Sequence, residues 1–94
     1  MKAYRLQAQL SMEERIEHAK VSEEALLKAI EMDPSYSFTY YYMNILYRNI
    51  YAKVYPERSS RYIEEADIWL QRAQDARKKE LERKRLEQEL KGLK

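Results

Sequence analysis

The sequence predicts an all-α protein, and three observations carry that expectation. Only one Gly and two Pro stand in 94 residues, so the elements between turns must be long. Charged residues make up 36% and hydrophobic ones 45%, a mixture rich in the Ala, Glu, Lys, Leu and Arg of amphipathic helices. Apolar side chains recur at three- and four-residue intervals, the period of one helical face. A chain of this length holds one domain with a modest core.

The first helix is expected near residues 12–33. Ser11-Met12-Glu13-Glu14 has the spacing of a capping box, in which the Ser hydroxyl and the Glu carboxylate satisfy free N–H groups reciprocally. Ile16, Ala19, Ser22, Leu26 and Ala29 then share a face. Asp33-Pro34 stops the helix, because Pro disfavours the α conformation in the residue before it. The segment ahead of Ser11 reads as a short, weakly apolar helix or a frayed end.

A second helix is expected over 36–54, capped by Ser35. Tyr40, Met43, Tyr47, Ile50 and Val54 form one stripe; Phe38, Tyr42 and Ile45 form another, with Tyr41 and Leu46 between them. A helix apolar on both sides is sandwiched, either between two helices or between a helix and a ligand. Pro56 ends this helix and suits the first turn of a third, where a missing N–H costs nothing. That third helix should cover 57–91, with a core stripe of Ile63, Ala66, Leu70 and Ala73 beside Tyr62 and Trp69. The three helices should pack as antiparallel neighbours.

Beyond Ala76 the pattern thins. Leu81, Leu86, Leu90 and Leu93 are isolated among charges, and Asp75–Lys79, Glu80–Lys84 and Glu87–Lys91 are acid-before-base pairs at i,i+4. The expected organisation is therefore a helical domain over 1–76 and a charged helical extension over 77–94 that adds little stability.

Composition also limits function. With no Cys, disulfides, thiol catalysis and cysteine-bound zinc are excluded. The single histidine, His18, has Glu14 at i−4 and reads as a surface pair, not a metal ligand. Glu13-Glu14, Glu23-Glu24 and Glu64-Glu65 are adjacent in sequence, point to different sides of a helix, and read as solvated faces. There is no Gly-rich loop for a phosphate and no nucleophile with a base. No catalytic residue, metal site or cofactor is expected. The longest uncharged stretch, 34–47, has 14 residues, short of the roughly 18–20 that span a bilayer. A soluble, cytoplasmic chain is the expectation, with no membrane partner.

Net charge is +2, placed unevenly: −1 over residues 1–74 and +3 over 75–94. That surplus is a weak footprint for nucleic acid, which is not the expected partner. The clusters Arg77–Lys79 and Arg83–Arg85 are interleaved with glutamates and read as a solvated helix.

Three segments share a repeat-like pattern. Tyr40-x2-Met43-Asn44-x2-Tyr47 resembles the first helix of a tetratricopeptide repeat. Ser22-x3-Leu26-x2-Ala29-x4-Pro34 and Ala66-x3-Leu70-x2-Ala73 resemble the second. Small residues suit close helix crossings there, and large ones fill the holes between them. The run from Glu24 to Tyr36 looks like the junction between consecutive repeats. The pattern departs from the family where Asn44 stands for its Gly and Lys78 for its closing Pro. Ser22 and Ala66 lie 44 residues apart, where the family period is about 34. The resemblance covers residues 22–76.

The resemblance implies about one and a half to two repeats of antiparallel helices, a fragment of a right-handed superhelix. It also implies a non-catalytic protein–protein interaction module, with the first helix of a repeat lining a concave, partner-binding face. On this chain that set is Phe38, Tyr41, Tyr42, Ile45 and Arg48. Tyr41 and Ile45 stand where relatives that clamp a carboxylate carry Lys, Asn or Arg. Apolar and aromatic partner side chains are expected instead, with Arg48 and Asn49 at the rim. Competing expectations are packing against the rest of a longer solenoid, a homodimer that covers the same apolar surface, and RNA stacked on the tyrosines.

Overall fold

The computed structural model describes residues 2–93, with side chains described from Ser11 onward. Three helical rods pack side by side into an elongated molecule of 69 × 24 × 24 Å. The first rod is α1 (Lys2–Met32). The middle rod joins α2 (Ser37–Ile45), a π-helical segment (Leu46–Tyr51) and α3 (Ala52–Val54). A 3₁₀ turn (Pro56–Arg58) leads into α4 (Ser59–Gly92). No strand occurs among the described residues.

Both Pro breaks fall where expected. Pro34 lies in the turn after α1, and Asp33 Oδ1 accepts from the Ser35 N–H at 3.1 Å and its hydroxyl at 2.6 Å. Those two bonds favour the charged carboxylate and hold Asp33 below the ordinary range. Pro56 opens the 3₁₀ turn without loss, since its position has no intrahelical N–H bond to forfeit.

Two expected helix starts are corrected. α1 runs unbroken through Ser11, so the capping-box residues lie inside a helix and no separate piece precedes them. Nothing in the sequence near Ser11 interrupts the backbone bonds, and without a breaker the longer helix persists. α2 begins at Ser37, so its N-cap position falls on Tyr36, whose side chain makes no capping bond. Ser35 stands one residue too early and donates to Asp33 instead. Glu80 of α4 supplies the cap, accepting from the Ser37 N–H at 2.8 Å and from its hydroxyl at 3.1 Å.

The middle rod is sandwiched between the other two, each antiparallel to it. Ala19, Met43, Leu46 and Tyr51 form one buried cluster; Tyr40, Ala73 and Ala76 form another, and Ile30 and Trp69 touch both. Met43 and Ala66 are 0% exposed. Small residues on α4 let it lie close to α2, while aromatic rings fill the ends. The third-helix stripe is right at Ala66 and Ala73 and wrong at Ile63, which points outward.

The helix expected over 36–54 is not α-helical throughout; it widens into a π turn over Leu46–Tyr51. There Tyr47 and Tyr51 donate to the two oxygens of Glu23 on α1, at 2.9 and 2.7 Å. Tyr47, Tyr51, Tyr55 and Tyr62 form a connected aromatic cluster, with ring centroids 5.3–6.0 Å apart. Burial, reinforced by the neighbouring Glu23 carboxylate, pushes both the Tyr47 and Tyr51 phenols well above their ordinary pKa.

Candidate interaction surface

The outward side of α2 remains open. Phe38, Tyr41 and Tyr42 are 50%, 46% and 53% exposed. Their positions at i, i+3 and i+4 place them on one face, turned away from Tyr40, Met43 and Asn44. Tyr41 and Tyr42 meet edge to face at 6.4 Å, and Phe38 lies 5.6 Å from Tyr36. Neither the Tyr41 nor the Tyr42 hydroxyl makes a hydrogen bond among the described residues, so the face is an apolar surface with polar tips.

Two grooves flank this face. The α2/α4 groove, of about 590 Å³, is lined by Phe38, Tyr41, Leu70, Ala73 and Leu81, with Gln74, Arg77 and Lys78 at its edge. The α1/α2 groove, of about 470 Å³, is lined by Ala25, Leu26, Ala29, Tyr42, Ile45 and Leu46. Small residues on α1 and α4 shape both: where Ala stands, no side chain reaches across to fill the furrow.

The five residues expected on the partner-binding face are thus divided. Phe38 and Tyr41 belong to one groove, Tyr42 and Ile45 to the other. Arg48 lines neither. Its Nε donates to Asn44 Oδ1 at 3.1 Å, and its guanidinium pairs with Asp67 on α4. Arg48 therefore ties the middle rod to α4. Asn49 lies beside Met12, Arg15 and Lys53, away from both grooves.

Leu70, Leu81, Arg77 and Lys78 line a groove without having been expected there. Their signal was present: 70, 74, 77, 78 and 81 fall on one side of a helix, next to the stripe that packs on α2. Glu23 was read as solvated together with Glu24, yet it stands four residues after Ala19 and three before Leu26. A carboxylate inside an apolar stripe asks for buried donors, and the tyrosines provide them.

Among the described residues, no three His, Cys, Asp or Glu side chains are placed to hold a metal ion. No helix among the described residues is long and apolar enough to cross a membrane.

The fold and this surface define an all-α protein of three antiparallel rods with an uncovered aromatic face. No family model, curated protein or solved structure matches the chain.

Proposed function

We propose that the chain is a non-catalytic protein-interaction module that holds a peptide or partner protein on the open face of α2. One observation carries the reading: three large aromatic side chains stand about half exposed on one helix face, between two apolar grooves. Exposed apolar surface gathered in one place, unlike single scattered residues, marks interaction sites. Tyr also suits the role, because a rigid ring with a polar tip dominates interface energetics. The tetratricopeptide resemblance of residues 22–76 supports the same reading and the same helix.

The test is selection of a random peptide library on the immobilised full chain, repeated with Tyr41→Ala/Ile45→Ala. Enriched peptides that the variant no longer retains, with an unchanged melt, support the module. If nothing is enriched, the reading fails; if the variant unfolds, these side chains belong to the core.

A homodimer is the second reading, favoured by Leu86 and Leu90 on α4 and Leu93 just after it, all exposed beyond the packed body. Light scattering across a concentration series tests it. A constant monomer mass rules it out.

A further inference from the structure

We propose, resting on that reading, that the α2/α4 groove takes an acidic amphipathic helix. The groove's shape sets the first half of this inference. Its lining on α4 extends from Leu70 to Leu81, about 16 Å at 1.5 Å per residue, or roughly three helical turns. A furrow of that length between two parallel ridges fits a third helix. The occupant's apolar residues, at i, i+3 or i+4, and i+7, would fall on Phe38, Tyr41, Leu70 and Leu81.

Charge sets the second half. Residues seven apart return to nearly the same line of a helix. On α4 three of the four groove-side lines read Leu70, Arg77, Lys84, Lys91; Gln74, Leu81, Gln88; and Lys78, Arg85, Gly92. None contains an acid. The fourth, Ala73, Glu80 and Glu87, carries two acids, of which Glu80 is engaged by Arg77 and the Ser37 N–H, while Asp75, Glu82 and Glu89 fall on another line. Of the five bases, Arg77 is paired with Glu80 and Arg85 with Glu89. Lys78, Lys84 and Lys91 make no ion pair among the described residues. An apolar floor whose lining holds two bases, Arg77 and Lys78, and no acid selects an occupant with apolar residues on one side and carboxylates beside them.

Two other occupants match less of the surface. A nucleic-acid strand satisfies the bases but leaves the Leu70–Leu81 floor without an apolar counterpart. The protruding end of α4 from a second copy is itself basic and repels the rim.

The experiment uses the peptides enriched on the full chain and three defined probes. These are a Leu/Glu amphipathic helix, its Leu/Lys counterpart and a uridine oligonucleotide, each followed by fluorescence anisotropy. Enriched sequences should be rich in Glu or Asp beside apolar residues. The Leu/Glu helix should bind at least about tenfold more tightly than the Leu/Lys helix at low salt. Lys78→Glu/Lys84→Glu should reverse that order with an unchanged melt, since both side chains are exposed. Enrichment of apolar peptides with no acidic bias, still lost in Tyr41→Ala/Ile45→Ala, overturns this inference and leaves the module standing. No enrichment at all overturns both. Tightest binding of the oligonucleotide, or peptide binding blocked by self-association, also overturns the acidic helix as occupant.

Discussion

The two sides of α2 carry similar residues and meet different ends. On the inner side Tyr40 and Met43 are buried, and the Tyr40 phenol donates to the Pro34 carbonyl. Tyr47 and Tyr51 continue that side into the π turn, where Glu23 receives both hydroxyls. On the outer side Phe38, Tyr41 and Tyr42 have neither a facing helix nor an acceptor. Tyrosine content therefore does not decide what is core. A ring is buried where the rest of the chain supplies both a surface and an acceptor for its hydroxyl, and left open where it does not.

The sharpest way to break this comparison is to truncate one side chain on each side. Met43→Ala removes a fully buried side chain from the centre of the sandwich and should cost about 2–5 kcal/mol. Tyr41→Ala should cost under about 1 kcal/mol, the usual cost of a surface change. Thermal melts of the two variants measure the gap. Equal losses would mean that the outer face is core as well.

Next in size is the carboxylate that the inner tyrosines share. Glu23→Ala leaves two phenols without their acceptor and should cost about 2 kcal/mol. The pH dependence follows from the raised phenol pKa values. The fold holds both groups neutral, so their contribution is complete below the ordinary phenol pKa. It is lost as pH rises above that value, because the unfolded chain ionises first. Melting temperature should therefore fall above about pH 10, and Tyr47→Phe/Tyr51→Phe should flatten that fall. A wild-type profile that stays level there would show that the pair is solvated.

A third, smaller effect lies at the start of α2. Glu80 sits there with its side chain only 16% exposed. The Ser37 N–H, its hydroxyl and Arg77 together hold the Glu80 pKa below the ordinary carboxylate range. Glu80→Ala should cost about 1 kcal/mol, the worth of a helix cap. Here the sign is opposite to that of the tyrosines. The contribution is present above the ordinary Glu pKa and fades as pH falls through the lower folded value. Acid melts of wild type and Glu80→Gln should converge at the bottom of that range; a constant separation would remove Glu80 from the cap.

Much of the fold was legible because breakers and period agree. Pro34 and Pro56 separate the rods, and three- to four-residue spacing marks Ala19, Met43, Ala66 and Ala73 as buried. What was not legible depends on contacts across the chain. Ser35 looks like a cap until Asp33 claims it, and Glu80 becomes one only because α4 reaches back 43 residues to Ser37. The π turn is likewise a tertiary outcome, seen where two tyrosines of one rod converge on one carboxylate of another. Of the candidate face, Phe38, Tyr42 and Ile45 were readable as a second apolar stripe, with Tyr41 beside it. Its division into two grooves, and the diversion of Arg48 to Asp67, required the positions of α1 and α4.

The smallest stability effect belongs to the end of α4, and it separates packing from binding. Expected to add little stability beyond Ala76, α4 in fact uses Glu80 as a cap and Leu81 as groove lining. From Glu82 to Leu93 every side chain is exposed. Truncation after Leu81 should then change stability by no more than about 0.5 kcal/mol, as surface changes usually do. Truncation after Lys79 also removes the cap and should cost about 1 kcal/mol more. The shorter loss in binding is independent of this order, because a cut after Leu81 removes Lys84, Arg85 and Lys91 from the groove-side lines. Acidic peptides should bind more weakly to that truncated chain at low salt, and the difference should shrink at about 0.5 M salt, where screening covers exposed charges. A truncated chain that melts as wild type and binds as wild type would confine recognition to the groove floor. One that melts several degrees lower would place Leu86, Leu90 and Leu93 in contact with a second copy.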